Sequence, residues 1–422
     1  MLLWQTLRRL RTWLFKALWI LLSIVLLAGS TVQLRDQDDH IYLFTRQDEF
    51  DFAGWTVDAL LVKLEQLSLG AAGYLPEVER QAQVLAYLNL VQEARQLETR
   101  LADIYADPSL SDKESAVTQV IIERDRVWNR QSELQPIVEA VLQEQSAVVL
   151  ADLGLSLGGA PFPPVAFHFT RPPTALIVSP RDIIRQDANI SLDPDLTLED
   201  QTEIERLVEE ELDVSALVVR VGGIGIYPTM IQETSSVVWL TETIVHEWVH
   251  NYLSFHPLGF NYLTTPELRT MNETTANLLG REIGRNVLER YYPNHVPPPS
   301  DDSPSPVSSV SDPEAFDFRV EMYLTRVKAD ELLAQGEIEE AEAYMEAQRQ
   351  FMWANGYHIR RINQAYFAFH GAYADQPGGA AGEDPVGAAV RKLWEQSDSP
   401  AEFLRTMARM DDYTDLQQAL GN

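Results

Sequence analysis

The chain has 422 residues, 45% of them apolar, and its 63 acidic against 33 basic side chains leave a formal net charge of −30. That balance excludes a protein that grips nucleic-acid phosphates, and the apolar fraction excludes a disordered acidic chain. With no cysteine, disulfides, thiolate-bound metals, iron–sulfur clusters and thiol catalysis are excluded, so any metal must be held by His, Asp, Glu or backbone groups.

Arg8, Arg9, Arg11 and Lys16 precede an uncharged apolar run over residues 17–32, and Asp36, Asp38 and Asp39 follow it. With Trp13, Leu14 and Phe15 included and Lys16 snorkelling, the run reaches about 20 residues, the length of a helix that spans a bilayer. Cations before it and acids after it keep the N-terminus in the cytoplasm and export the rest. The small residues Ala28, Gly29 and Ser30 make a cleaved signal peptide the alternative, but the run is longer than an ordinary signal-peptide core, which favours an uncleaved anchor. Residues 1–34 are therefore read as a basic stub and single-pass anchor of a cell-membrane protein.

Residues 35–150 read as a helical region. Aromatic residues Tyr42, Phe44, Phe50, Phe52 and Trp55 come with a helical pattern over 57–67. A long helix starts at Leu75-Pro76 with Glu77 in its first turn and runs to about Tyr105. Asp107-Pro108 breaks it, and a second helix over 112–148 completes an α-hairpin. Residues 151–295 change character. Short β-branched and aromatic runs occupy 165–169, 175–178 and 216–221, with an acidic helical stretch at 198–212, and 222–228 ends in Pro228, as a sheet edge or strand end does. Together they predict a small mixed sheet over 160–240, with His168 as a structural residue. A strand over 237–240 and a helical region over 241–289 follow. Residues 296–312 hold five Pro, six Ser and three Asp, a composition that buries no core and predicts a mobile surface linker. Residues 313–422 read as helices at 314–334, 338–353, 357–374, 385–395 and 401–410, with a Gly-rich loop at 378–382. The predicted fold class is α+β and mostly helical: an N-terminal membrane helix, a small mixed sheet beside a motif helix, and a helical C-terminal region.

That motif is His246-Glu247-Trp248-Val249-His250, an H-E-x-x-H sequence. Ile244, Val245, Trp248, Val249, Tyr252 and Leu253 give the spacing of a helix with one buried face. Two imidazoles four residues apart stand one turn apart on one side and can ligate one zinc ion. Glu247, rotated by about 100° from His246, can face a water at the metal as a general base. A catalytic zinc needs a third protein ligand, and two candidates lie downstream. Glu273 begins a second helical pattern through Ala276, Leu279, Ile283 and Val287, with Asn277 one turn further on, where its oxygen can accept from a ligand imidazole. His256 falls on the third histidine of H-E-x-x-H-x-x-G-x-x-H, but Leu253 replaces the glycine that turns the chain there, so the helix would carry His256 away from the metal. Tyr366 and Tyr373 are candidates to hold a developing oxyanion. Glu267 and Glu282 read as solvated or helix-terminal charges.

H-E-x-x-H followed by Asn272-Glu273-Thr274-Thr275-Ala276 resembles the gluzincin class of zinc metallopeptidases. The resemblance implies a zincin-like core over 151–295, Zn2+ held by His246, His250 and Glu273, Glu247 as the base, and a peptide or protein substrate. It covers roughly a tenth of the chain. The 22 residues between His250 and Glu273 make a longer gap than in familiar members, Asn277 stands where an acid is common, and no G-A-M-E-N-like motif is present. The overall layout, with C-terminal helices bearing Asn363-Gln364-Ala365-Tyr366, is faintly similar to bacterial proteins described as aminopeptidases. The competing expectation is a catalytically silent, membrane-tethered binding or scaffold protein, for which long acidic helices and a flexible linker would suit partner docking.

Overall fold

The computed structural model of the protein describes residues 37–69, 71–107, 112–298, 316–374, 376 and 378–421. The predicted anchor over residues 1–34 and nearly all of the predicted linker over 296–312 lie outside the described residues. Among the described residues no helix is long and apolar enough to cross a membrane.

Helices α1 (Gln37–Thr45) and α2 (Phe52–Leu69) lead into the hairpin of α3 (Glu77–Ala106) and α4 (Lys113–Asp152). Buried Val84, Tyr87, Leu88, Val91, Ala94, Leu97 and Leu101 recur every three or four residues along α3 and face Val120, Val127, Leu134, Val138 and Val141 of α4, so one seam joins the two helices. Near the middle of α4 the fully buried Glu139 accepts hydrogen bonds from Lys63 Nζ (2.5 Å), Gln66 Nε2 (2.7 Å), Gln135 Nε2 (2.9 Å) and Phe169 N (2.8 Å), and His168 Nδ1 lies 2.9 Å away. Burial alone pushes this carboxyl up, but the His168 hydrogen bond and the Lys63 charge outweigh it and bring its pKa to about 2. His168 sits in this structural knot, away from the H-E-x-x-H helix.

The predicted single sheet is two three-stranded sheets. In the first, β2 (Thr174–Pro180) lies between β3 (Ala188–Leu192) and β4 (Val214–Arg220), antiparallel to both. Alternate residues of β2 face opposite layers. Leu176 and Val178 pack with Ile204 and Val208 of α5 (Leu198–Leu212). Ala175 and Ile177 pack with Ala365, Ala368 and Phe369 of a C-terminal helix. Burial on both faces is why these strands read as continuous apolar runs. The second sheet is the mixed one: β1 (Phe167–Phe169) runs parallel to β6 (Thr229–Ile231), and β5 (Gly223–Ile224) runs antiparallel to β6 on its other side.

Helix α6 (Val237–Leu253) carries the motif. Residues 237–240, predicted as a strand, are its first turn: Ser236 Oγ accepts from Trp239 N at 3.2 Å and caps the helix. The β-branched run suits a strand locally, but the cap and the helical spacing of buried Val237, Leu240, Ile244, Val245 and Trp248 prevail. After the short α7 (Pro257–Phe260), α8 (Pro266–Tyr291) starts earlier than predicted, with Thr265 as cap and Pro266 in its first turn. Helices α9 (Phe318–Ala334), α10 (Ile338–Ala354), α11 (Gln364–His370), α12 (Pro385–Gln396), α13 (Pro400–Met407) and α14 (Tyr413–Ala419) complete the chain. Of the helix predicted over 357–374, only α11 forms. Val390, Leu393, Phe403, Leu404 and Met407 share one core cluster with Leu279, Ile283 and Val287 of α8, so the C-terminal helices back the helix that carries Glu273.

Candidate metal centre

Helix α6 places the Nε2 atoms of His246 and His250 3.0 Å apart. Helix α8 packs against it closely because Gly280 and Gly284 face it: a Cβ on Gly280 would sit 2.9 Å from Glu242 O and 3.1 Å from His246 Cβ, and one on Gly284 2.9 Å from Glu242 Cα. This approach delivers Glu273, whose Oε2 lies 3.7 Å from His246 Nε2 and 3.5 Å from His250 Nε2. A tetrahedral zinc with bonds of 2.0–2.1 Å sets its ligand atoms about 3.3 Å apart, and the observed triangle brackets that value. Glu273 Oε2 is buried and has no hydrogen-bond partner, an expensive condition for a carboxylate oxygen unless a cation meets it. The three residues are the group that could hold a metal ion among the described residues, and their donor chemistry fits zinc.

The surrounding side chains orient these ligands. His250 Nδ1–H donates to Asn272 Oδ1 at 2.8 Å, which turns Nε2 toward the point it shares with His246 and Glu273. Asn272 is itself held by Leu258 O, which accepts from its Nδ2 at 3.2 Å. Asn277 hydrogen-bonds His246. Tyr262 OH donates to the other oxygen of Glu273, and Arg269, one turn before Glu273, donates to Ala368 O at 2.8 Å. Burial pushes Glu273 up, but the charge and hydrogen bond of His250, with Arg269 adding to them, outweigh it and take its pKa to about 2, so it stays ionised. Burial and the neighbouring His250 lower His246 to about 4, so it stays neutral. Metal ligation requires an ionised carboxylate and neutral imidazoles. Glu273 and His246 meet that, whereas at His250 burial is outweighed by the charge and hydrogen bond of Glu273, which raise it to about 9, so a metal must displace its proton. Burial raises Glu247 to about 7, with His250 opposing and Glu273 adding to the rise. A carboxyl poised there exchanges protons near neutral pH.

Two cavities, of about 330 and 350 Å³, meet at this point and share His246, Glu247, Gly223, Phe369 and Tyr373. Strand β5 borders both, paired on one side by β6 and open on the other. The segment lies against the motif because Gly223 of β5 and Gly225 just after it lack side chains: a Cβ on Gly223 would be 2.5 Å from Glu247 Oε1, and one on Gly225 2.7 Å from His250 Cβ.

The structure thus brings together His246, Glu247, His250 and Glu273. His256 stays apart: it precedes α7, its ring stacks on Tyr252, and its Nδ1 bonds Tyr252 O at 2.9 Å. Of the two tyrosines, Tyr373 lines both cavities with its ring 6.5 Å from that of His246, whereas Tyr366 packs among α11 neighbours. Sequence reasoning assigned the imidazole acceptor to Asn277 and missed Asn272, whose position directly before Glu273 was the available signal. Tyr262 and Arg269 carried no signal, since the loop and helix start that present them show no motif. No family model, curated protein or solved structure matches the chain.

Proposed function

We propose that the protein is a membrane-anchored zinc metallopeptidase whose catalytic region lies on the extracytoplasmic side. The observation that carries this reading is the convergence of two imidazole nitrogens and an otherwise orphaned carboxylate oxygen on one point, with a second carboxylate of near-neutral pKa beside it. His246, His250 and Glu273 would hold the metal. Bound there, zinc supplies Lewis acidity, polarising a scissile carbonyl and acidifying a water. Glu247 accepts the proton of that attacking water on its carboxylate and delivers it to the leaving amine nitrogen. Tyr373 keeps its phenolic proton, since burial, Glu273 and Tyr262 raise its pKa well above the ordinary value; it can donate to the carbonyl oxygen as charge develops. The open edge of β5 can pair with an extended peptide backbone. The test is Glu247→Gln. The variant should retain stoichiometric zinc and lose hydrolysis of a mixed peptide library; unchanged turnover refutes the mechanism, and a wild-type protein that binds zinc without turnover supports the scaffold reading instead.

A further inference from the structure

Helix α2 is built inside out. Its single lysine, Lys63, is 8% exposed and bonded to buried Glu139, and Ala59 beside it is 2% exposed. Val57, Leu60, Leu61 and Leu64 are 58%, 41%, 59% and 62% exposed. At about 100° per residue these four fall within a single arc of roughly 100°, opposite Trp55, Ala59 and Lys63. An ordinary surface helix turns such a stripe inward. Leu43 of the preceding α1 is likewise 59% exposed.

We propose that the outward stripe of α2 lies in the interfacial layer of the lipid bilayer. The inference rests on the anchor in the reading above and adds a second membrane contact made by the folded region. Chain length supports the occupant. The apolar run ends at Val32 and α1 begins at Gln37, a separation that five backbone steps limit to at most about 18 Å, so a chain leaving the bilayer at Val32 starts α1 close to the headgroups. Charge sets the kind of contact. A net charge of −30 disfavours attraction to anionic lipid, and α2 offers no outward cation, so contact must come from burying Val57, Leu60, Leu61 and Leu64 in the acyl boundary. It should therefore occur on zwitterionic lipid and be insensitive to salt.

The absence of cysteine makes the test direct. Leu61→Cys, and separately Leu64→Cys, in the full chain would give a unique attachment point for an environment-sensitive fluorophore, with Phe351→Cys as comparator, an apolar position on α10 that is 46% exposed. Each protein is reconstituted with phosphatidylcholine vesicles and floated, then quenched by nitroxide-bearing lipid and by aqueous iodide. Labels at 61 and 64 should be several-fold more quenched by the lipid nitroxide and several-fold less by iodide than the label at 351, at low and high salt alike. Flotation with iodide access equal to that at 351 would leave the anchor standing and overturn the α2 contact. Shielding from both quenchers overturns it in favour of a protein occupant, a second copy or the chain's own N-terminal segment. Failure to float overturns the contact and the anchor together, while zinc and peptidase assays of the same preparations read the catalytic proposal independently.

Discussion

Gly280→Ala is the sharpest probe of how the site is assembled. The added methyl would lie 2.9 Å from Glu242 O and 3.1 Å from His246 Cβ, where ordinary contacts are about 3.5–4.0 Å. Helices α6 and α8 must separate by about 0.5 Å to admit it. Overpacking of this kind costs about 1–3 kcal/mol, and replacing a mid-helix glycine returns about 1 kcal/mol. The net expectation is a loss of about 1 kcal/mol. The effect on metal should be larger than the effect on stability. Ligand constellations tolerate displacements of about 0.5 Å, and the Glu273 edges of the triangle, at 3.5 and 3.7 Å, are already on its wide side. Zinc affinity measured by competition with a chromophoric chelator should fall by about tenfold, comparable to losing an orienting partner. Chemical denaturation of the metal-free protein reads the stability term separately, and Glu282→Ala on the exposed side of α8 should change neither. A Gly280→Ala protein that is more stable than wild type by about the propensity gain, with unaltered zinc affinity, would refute the close-approach reasoning.

Gly223→Ala should silence hydrolysis while zinc content holds, because the new methyl meets Glu247 Oε1 at 2.5 Å rather than a ligand; Gly225→Ala, aimed at His250 Cβ at 2.7 Å, should reduce zinc content as well. Inductively coupled plasma analysis beside a peptide-cleavage assay separates the two. Asn272→Ala removes the acceptor of His250 Nδ1–H and should weaken zinc binding by about 10- to 100-fold, read by the same chelator competition. Glu139→Gln leaves Lys63 buried without its counter-charge and should cost about 3–5 kcal/mol at neutral pH. Because Glu139 is lowered from 4.5 to about 2, its stabilisation is fully present above pH 4.5 and is lost as pH falls through about 2. Urea midpoints of wild type should drop across that window while those of Glu139→Gln change less; parallel profiles would rule this role out.

The long hairpin helices and the motif helix were legible in the sequence because their signals are local: heptad-like spacing of Val84, Leu88 and Val91, a proline break after Asp107, and two histidines one turn apart. Boundaries were not. The run Val237-Val238-Trp239-Leu240 suits strand and helix alike, and the Ser236 cap decides between them. Nor was the division of the sheets visible, since β1 and β6 pair across about sixty residues that include all of β2, β3 and β4.

For the candidate centre, sequence alone determined which side chains are chemically able to bind zinc and which pair shares a helical face, since that follows from 3.6 residues per turn. It favoured Glu273 over His256 as third ligand, because Leu253 replaces a turning glycine, but gave no place to Tyr262, Asn272, Arg269, Gly223 or Gly225. Only the tertiary structure decided these. Whether a carboxylate 23 positions after His250 meets it depends on how closely two helices approach, and that distance is set by the missing side chains of Gly280 and Gly284 and by the C-terminal core packed behind α8.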